Sequence, residues 1–300
     1  MSVITTGTFP KLLRPGIADI FGAAYNEYPP EYTQIFEEHP SDRSYEEDVL
    51  VSMTGQAVIK PQGFAVTYDS MRQGYVPRYT HVLAALGYII TLEERMDNLY
   101  PALTVARQQA LARSLRDLKE QIGSNVLNDG FTNTGADGVS LFDTDHPVTG
   151  GVQSNILDPS VPMSEAALEQ IDIALAQAKN DKGMPVRIIG KKIIVPPALK
   201  NETQRILGNP LRPGTAERDI NAMYQMGAWP DGFVVNRRLS SDTAFFVITD
   251  CFDGFKYYNR MAPVLSSDND FDTENEKNKA IERYSFGYSD FRAGFASTGI

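Results

Sequence analysis

From Pro101 to about Asn128 the chain carries a helical pattern longer than an ordinary globular helix. Leu111, Leu115, Leu118, Ile122 and Val126 recur at steps of three and four, which puts them on one helix face. Helix over those 28 residues spans about 42 Å. A rod of that length must have sheets or other helices laid along it, so it is expected to act as a spine. Arg107, Arg113, Arg116 and Lys119 fall off the apolar stripe and are expected on other faces. Upstream, Thr91 and Glu94 fit a capping box, and Pro101 breaks, kinks or restarts the helix. "NDGFTNTGADG" (Asn128 to Gly138) ends it with glycines and Asx turns.

The segment before the spine differs in kind. Residues 50–90 are rich in β-branched and aromatic residues, with Gly and Pro as punctuation, and strands are expected near 49–59, 64–69 and 78–90. "KPQG" (Lys60 to Gly63) is a turn signal between the first two. The middle of this stretch is polar and bears glycine, so it reads as an extended hairpin reaching away from a core. Residues 1 to about 50 hold Pro10, Pro15, Pro29, Pro30 and Pro40, and only "GIADIFGAAYNEY" offers a short helix. Such an arm has too few periodic apolar positions to fold alone and is expected to lie on another surface, its own or a neighbour's.

After the loop at 128–162, Ser164 caps a helix whose core face is Leu168, Ile171, Leu175 and Ala178. "VRIIGKKIIVPPALKNETQRILG" reads as strand, strand, Pro-Pro, helix, with Pro197 in the first helical turn. Further strands are expected at 232–236, 243–249 and 254–259, and the aromatic alternation of Tyr284, Phe286 and Tyr288 as part of a final strand pair. The sum is an α+β chain with no internal repeat.

Composition narrows the function. Apolar residues make up 42% and charged residues 22%, enough for a real core. A net charge of −10 repels phosphate, so non-specific nucleic-acid binding is not the expected main work. The single Cys251 forms no internal disulfide and reads as a small apolar residue after a strand. "MSVITTGTFPKLLRPG" lacks the apolar region of a signal peptide. The run "VLAALGYIITL" falls short of the roughly 20 residues a membrane span needs.

"FDTDHP" (Phe142 to Pro147) places Asp143, Asp145 and His146 within four residues. Zinc needs three or four such ligands, but in an extended segment His146 points opposite to the two carboxylates, and His39 and His81 lie in unrelated contexts. A polar turn closed by Pro147 is the reading of the residues. "DNDFDTENE" (Asp268 to Glu276) resembles the start of a calcium loop, but the places that need Gly and Glu hold Thr273 and Lys279. It reads as a solvated acidic loop. No dinucleotide fingerprint, P-loop, zinc-protease or serine-hydrolase motif occurs, so no catalytic residue, metal or cofactor is assigned.

Three passages in order carry a resemblance. "LFDTDHPVTGGVQSNIL" (Leu141 to Leu157) looks like the loop after the spine helix in Mu-type major head subunits of tailed bacteriophages. "KKIIVPPALKNETQRIL" (Lys191 to Leu207) resembles the strand, Pro-Pro and helix of that family's second domain, and "YSFGYSDFRAGFAS" (Tyr284 to Ser297) its C-terminal strand. The resemblance implies the Hong Kong 97-type fold. Residues 1–50 would be the N-terminal arm, 51–80 the E-loop hairpin and 81–150 the P-domain with its spine helix. Residues 151–262 would be the A-domain and 263–300 the return to P-domain strands. It implies a major capsid protein whose main partner is itself, in hexamers and pentamers closing into an icosahedral shell around double-stranded DNA, without sequence-specific binding and without a membrane. Scaffold, portal and decoration proteins are further candidate partners, and the location is the virion, with the host cytoplasm during assembly. Val58, Ile59, Lys60, Phe64, Val66 and Tyr68 of the E-loop are the expected inter-subunit contacts. The alternatives are an encapsulin-like compartment shell and, in another class, a metal-dependent hydrolase using Asp143, Asp145 and His146.

Overall fold

A computed structural model describes residues 10–97, 100–148, 151–211 and 220–299. The first nine residues of the expected arm lie outside the described residues. Helix α3 (Tyr100–Asn128) runs 29 residues, about 44 Å, and is the spine foreseen from the sequence. A short helix α2 (Leu92–Met96) precedes it. The Thr91 side chain accepts the Glu94 N–H, as in a capping box, but the Glu94 carboxylate turns instead to Arg107, 2.9 Å away.

The stripe that α3 buries is rotated from the one read off its leucines. Leu111, Ala112, Leu115, Lys119 and Leu127 are buried, whereas Leu118 is 42% exposed. At about 100° per residue, Lys119 lies about 40° from Leu115 and on the stripe, while Leu118 lies about 60° to the other side, at its rim. The expectation that Lys119 decorates an outer face is therefore wrong. Its ammonium sits 2.6 Å from Glu282, and the two side chains are 3% and 0% exposed. The Tyr25 hydroxyl donates to the same carboxylate at 2.8 Å, and the ammonium lies 4.9 Å from the Tyr284 ring centroid. A charge is admissible in this core because a carboxylate, a hydroxyl and aromatic faces replace its water.

Beside α3 lies a four-stranded sheet in the order β1 (Glu37–Pro40), β10 (Phe255–Asn269), β11 (Glu276–Tyr288), β4 (Val82–Ile90). Only the β1–β10 pair is parallel; the others are antiparallel. The arm belongs to this layer. Helix α1 (Pro10–Tyr25) packs on α3, and Phe21, Tyr25, Tyr32, Ile35 and Phe36 join the core. The Glu120 carboxylate accepts the backbone N–H groups of Glu31 and Tyr32 at 3.0 and 2.9 Å, which seats the short 3-10 turn that follows α1. So the described part of the arm lies on its own chain.

The second layer is a sheet in the order β12 (Gly294–Ser297), β9 (Phe245–Thr249), β7 (Gly190–Val195), β8 (Phe233–Val235). Its inner strand β9, "FFVIT", is a nearly continuous apolar run because both faces are covered. Phe246, Ile248, Ile194 and Ala296 pack toward the spine, while Phe245, Val247, Ile193, Val195 and Phe295 pack toward α4 (Glu165–Ala176), α5 (Lys200–Leu207) and α6 (Ala222–Met226). Ser164 caps α4 through the Ala167 N–H, and Leu168, Ile171, Leu175 and Ala178 are all buried as its spacing requires.

Three strand expectations differ: "VRIIGKKIIV" supplies one strand, β7, and not two, since residues 186–189 join no ladder. The tail is not a strand pair: β11 belongs to the first sheet and β12 to the second, separated by a turn in which the Asp290 side chain accepts the Arg292 N–H. The chain thus crosses between layers at Asp290, and β10 runs through position 262 with a register shift against β11 between Met261 and Val264. Nor are 49–59 and 64–69 laddered strands; the pairing there is confined to the foot of the loop.

Candidate functional site

The least covered part of the molecule is the long loop between β2 (Tyr45–Glu47) and β3 (Arg78–Thr80), which pair antiparallel at its foot. Above that pair the two legs exchange backbone bonds: Asp48 N–H to Pro77, Leu50 N–H to Tyr75, Gly74 N–H to Leu50, and Ser52 N–H to Arg72. The sequence explains the tip: Phe64 N–H closes a turn on the Pro61 carbonyl, and Gly63 sits at φ +88°, where a side chain would be strained. Between foot and tip the legs have strand composition but no ladder. Their apolar side chains stand in solvent: Ile59 is 92% exposed, Tyr68 91%, Val58 71%, Phe64 68% and Val66 58%, and Lys60 beside the turn is exposed as well.

The foot is anchored by charge. Lys256 Nζ lies 2.7 Å from Asp48 and 2.6 Å from Asp253, and Ser289 and Tyr258 hydroxyls also donate to Asp48. Burial alone would raise the Asp48 carboxyl, but hydrogen bonds from Lys256 and Ser289 outweigh it and hold it below the usual carboxylate range. Burial would likewise lower the Lys256 ammonium, and its bonds to Asp253 and Asp48 raise it. Both directions describe an ion pair held ionised. Midway along the loop the Asp69 carboxylate accepts the Gly55 N–H at 2.6 Å and binds Lys182 Nζ at 2.9 Å. Those contacts, the Gly55 N–H first, pull it down to about 2. Below this latch a cavity of about 620 Å³ opens between Leu50, Met53, Tyr75, Ile188, Phe252 and Arg292.

The "FDTDHP" residues do not converge. Asp143 accepts the Ser140 hydroxyl at 2.8 Å and the N–H groups of Thr144 and Asp145, and the Ser140 bond comes first in holding its carboxyl low. Asp145 is exposed. His146 is fully buried, 2.6 Å from Asp137, 3.2 Å from the Leu141 carbonyl and stacked on Phe291 at 3.9 Å. Asn155 completes the unit by donating to the carbonyls of Leu141, Phe291 and Gly294. The sequence reading missed Asp137 and Asn155; a single buried histidine in a polar loop was the signal that partners had to come from elsewhere. The cluster fastens the loop after α3 to the C-terminal turn. Among the described residues no three His, Cys, Asp or Glu stand as a metal-ligand group. At the β10–β11 turn, Asp270 pairs with Lys277 and Phe271 is 92% exposed. Burial pushes the Cys251 thiol well above its ordinary range. No described helix is long and apolar enough to cross a membrane.

A profile of phage capsid proteins matches residues 80–297, from β3 to the end of β12. The chain belongs to the phage capsid protein family. Solved structures agree in fold. The capsid of bacteriophage JBD30, decorated with minor capsid protein trimers, superposes with a TM-score of 0.56 at 16% identity, covering 71% of this chain and 92% of that one. The virus-like particle of Pyrococcus furiosus gives 0.54 at 9% identity, covering 94% and 97%. Microbacterium phage Oxtober96 gives 0.54 at 8%, covering 90% of each. No curated protein matches in sequence. At these identities the likeness is one of fold, and the family match supplies the role: a capsid protein is a structural, non-enzymatic component of a virion shell. That role gives a capsid subunit a reason to display an apolar loop.

Proposed function

We propose that this capsid protein is a Mu-type major head subunit of the Hong Kong 97-type arrangement, which assembles with itself into hexamers and pentamers of an icosahedral shell around double-stranded DNA. The observation that carries the reading is the anchored but uncovered loop, with Val58, Ile59, Phe64, Val66 and Tyr68 in solvent around Lys60. Fully burying one such side chain is worth about 1.5–3 kcal/mol, so leaving five exposed makes sense only if a neighbour covers them. The loop is then the E-loop and an intermolecular clamp. The layer of α3 and the first sheet is the P-domain, the second layer the A-domain. The net charge of −10 suits an enclosed genome that is contained rather than gripped. Scaffold, portal and decoration proteins are the heterologous partners this role calls for, and assembly takes place in the host cytoplasm.

Replacing residues 56–68 with a short Gly-Ser linker tests the clamp. Both core clusters lie outside that segment, so the variant should keep its circular dichroism and melting temperature while light scattering shows free subunits or small capsomers. Shells of normal size from it would sink the clamp. The second reading carried from the sequence is an encapsulin-like compartment shell, which shares the fold. Purified particles that contain protein cargo and no nucleic acid would decide for that.

A further inference from the structure

The first sheet has a bare edge. Strand β4, "VLAALGYII", contains no charged residue and no proline, pairs with β11 on one side, and has no strand partner on the other among the described residues. Val82, Leu83, Leu86 and Ile89 along it are exposed, Leu83 by 60%. An unpaired edge is a template for another chain, and soluble proteins guard edges with charge, proline, shortness or a covering loop. This chain does so elsewhere. The opposite edge of the same sheet, β1, is four residues long and holds Glu37, Glu38 and Pro40. The outer edge of β12 is covered by Asn155–Leu157, which bonds Ala296 from both sides. Nine unguarded residues at β4 stand out against that practice.

The same chain also holds a strand without a sheet. Residues 64–68, "FAVTY", have high β propensity, with Phe64, Val66 and Tyr68 on one side and Ala65 and Thr67 on the other. The only regular backbone bond there is the turn from Phe64 to Pro61. The segment cannot reach its own β4. Residues 72–80 lead from it to β4 and are pinned against 45–52 by the foot of the loop, which leaves only residues 69–71 to reverse direction, and Asp69 among these is latched to Lys182. Reversal is not needed between copies: a leg of nine extended residues reaches about 30 Å. The leg 56–60 is the poorer candidate, because Lys60 and Pro61 interrupt it.

We propose that residues 64–68 of one subunit pair, as an added strand, with the free edge of β4 in a neighbouring copy. The inference rests on the clamp reading and names the surface that receives it. Backbone bonds would then fix register, and Leu83 and Ile89, which share one face of β4, would cover the loop's apolar side chains.

Amide hydrogen exchange on free subunits and on assembled particles tests this directly. The pairing requires that peptides covering 64–68 and 82–90 both slow on assembly, by about tenfold or more. Protection of 64–68 with β4 unchanged would place the loop elsewhere on its neighbour, overturning the strand pairing and leaving the clamp intact. Protection of β4 alone would mean another occupant and overturn the pairing as well. Particles in which neither is protected would overturn both. Leu83→Lys gives a second readout: the lysine, at the most exposed apolar position of β4, should leave the free subunit's melt unchanged and abolish the slowing at 64–68, and an assembled variant with 64–68 still protected would overturn the pairing.

Discussion

Residues 245–249, "FFVIT", and residues 64–68, "FAVTY", are close in composition and opposite in circumstance. The first is a strand buried at every position, with a sheet neighbour on each side and a helical layer on each face. The second is exposed at every position and belongs to no sheet. Local propensity is the same in both, so the difference arises from what the rest of the chain places around them. Around 245–249 the chain supplies everything the strand lacks; around 64–68 it supplies a firm root and nothing else. A segment of this kind is finished by assembly, in the way a core strand is finished by folding.

The sharpest way to break the comparison is to remove the same side chain from both. Phe246 is buried between Phe131 and Phe142, with ring centroids 5.8 and 5.3 Å away. Phe246→Ala should destabilise the free subunit by about 3–5 kcal/mol in denaturant unfolding. Phe64→Ala should change it by less than about 0.5 kcal/mol and act on shell yield instead. A large loss of subunit stability from Phe64→Ala would mean that the loop is already covered in the free chain.

The next effect concerns the root of the arm. Glu282→Gln leaves Lys119 buried without its counter-charge, and breaking a buried pair in that way costs about 3–5 kcal/mol. Burial already lowers the Lys119 ammonium and the Glu282 charge opposes that fall, so the lysine should titrate lower in the variant. Lys119→Met with Glu282→Leu removes both charges together and should recover most of the loss. A double variant as unstable as the single one would show that the pair contributes more than the absence of an orphan charge.

Much of this was legible in the sequence, and what was not has definite physical causes. The spine, the α4 face and the turn at Gly63 follow from local rules of spacing, capping and backbone conformation. Lys119 was misplaced because a periodicity argument assigns charge to the outside, and only the distant Glu282, Tyr25 and Tyr284 make an exception possible. The separation of β11 from β12 was hidden because aromatic alternation specifies a strand but not its sheet. The "FDTDHP" segment was read as a polar turn in which His146 packs or bonds locally, but its partners Asp137 and Asn155 are fixed by the fold and could not be named from spacing. The loop's lack of a ladder was invisible for the reason the two Phe-led segments teach: strand composition states a demand, and the sequence alone does not say who meets it.

The smallest effect lies at the foot of the loop, where coverage changes from complete to none within a few residues. Asp48 is held ionised there by Lys256 and Ser289 despite burial. A carboxyl depressed in the folded state contributes stability that is fully present above its unfolded value near 3.9 and is lost as pH falls through the lower folded value. Asp48→Asn removes charge-assisted hydrogen bonds worth about 1.5–3 kcal/mol at neutral pH. The gap between variant and wild type in urea unfolding should therefore be widest near pH 7 and narrow as the solution is acidified below about pH 4. Because the bond ties the loop to β10 and β11 and not the two sheets to each other, the same variant should speed amide exchange at 48–52 and 72–77 before it affects 245–249. Equal acceleration in both segments would show that the foot of the loop and the second layer open together, and that the boundary drawn between a finished region and an unfinished one lies further out along the loop.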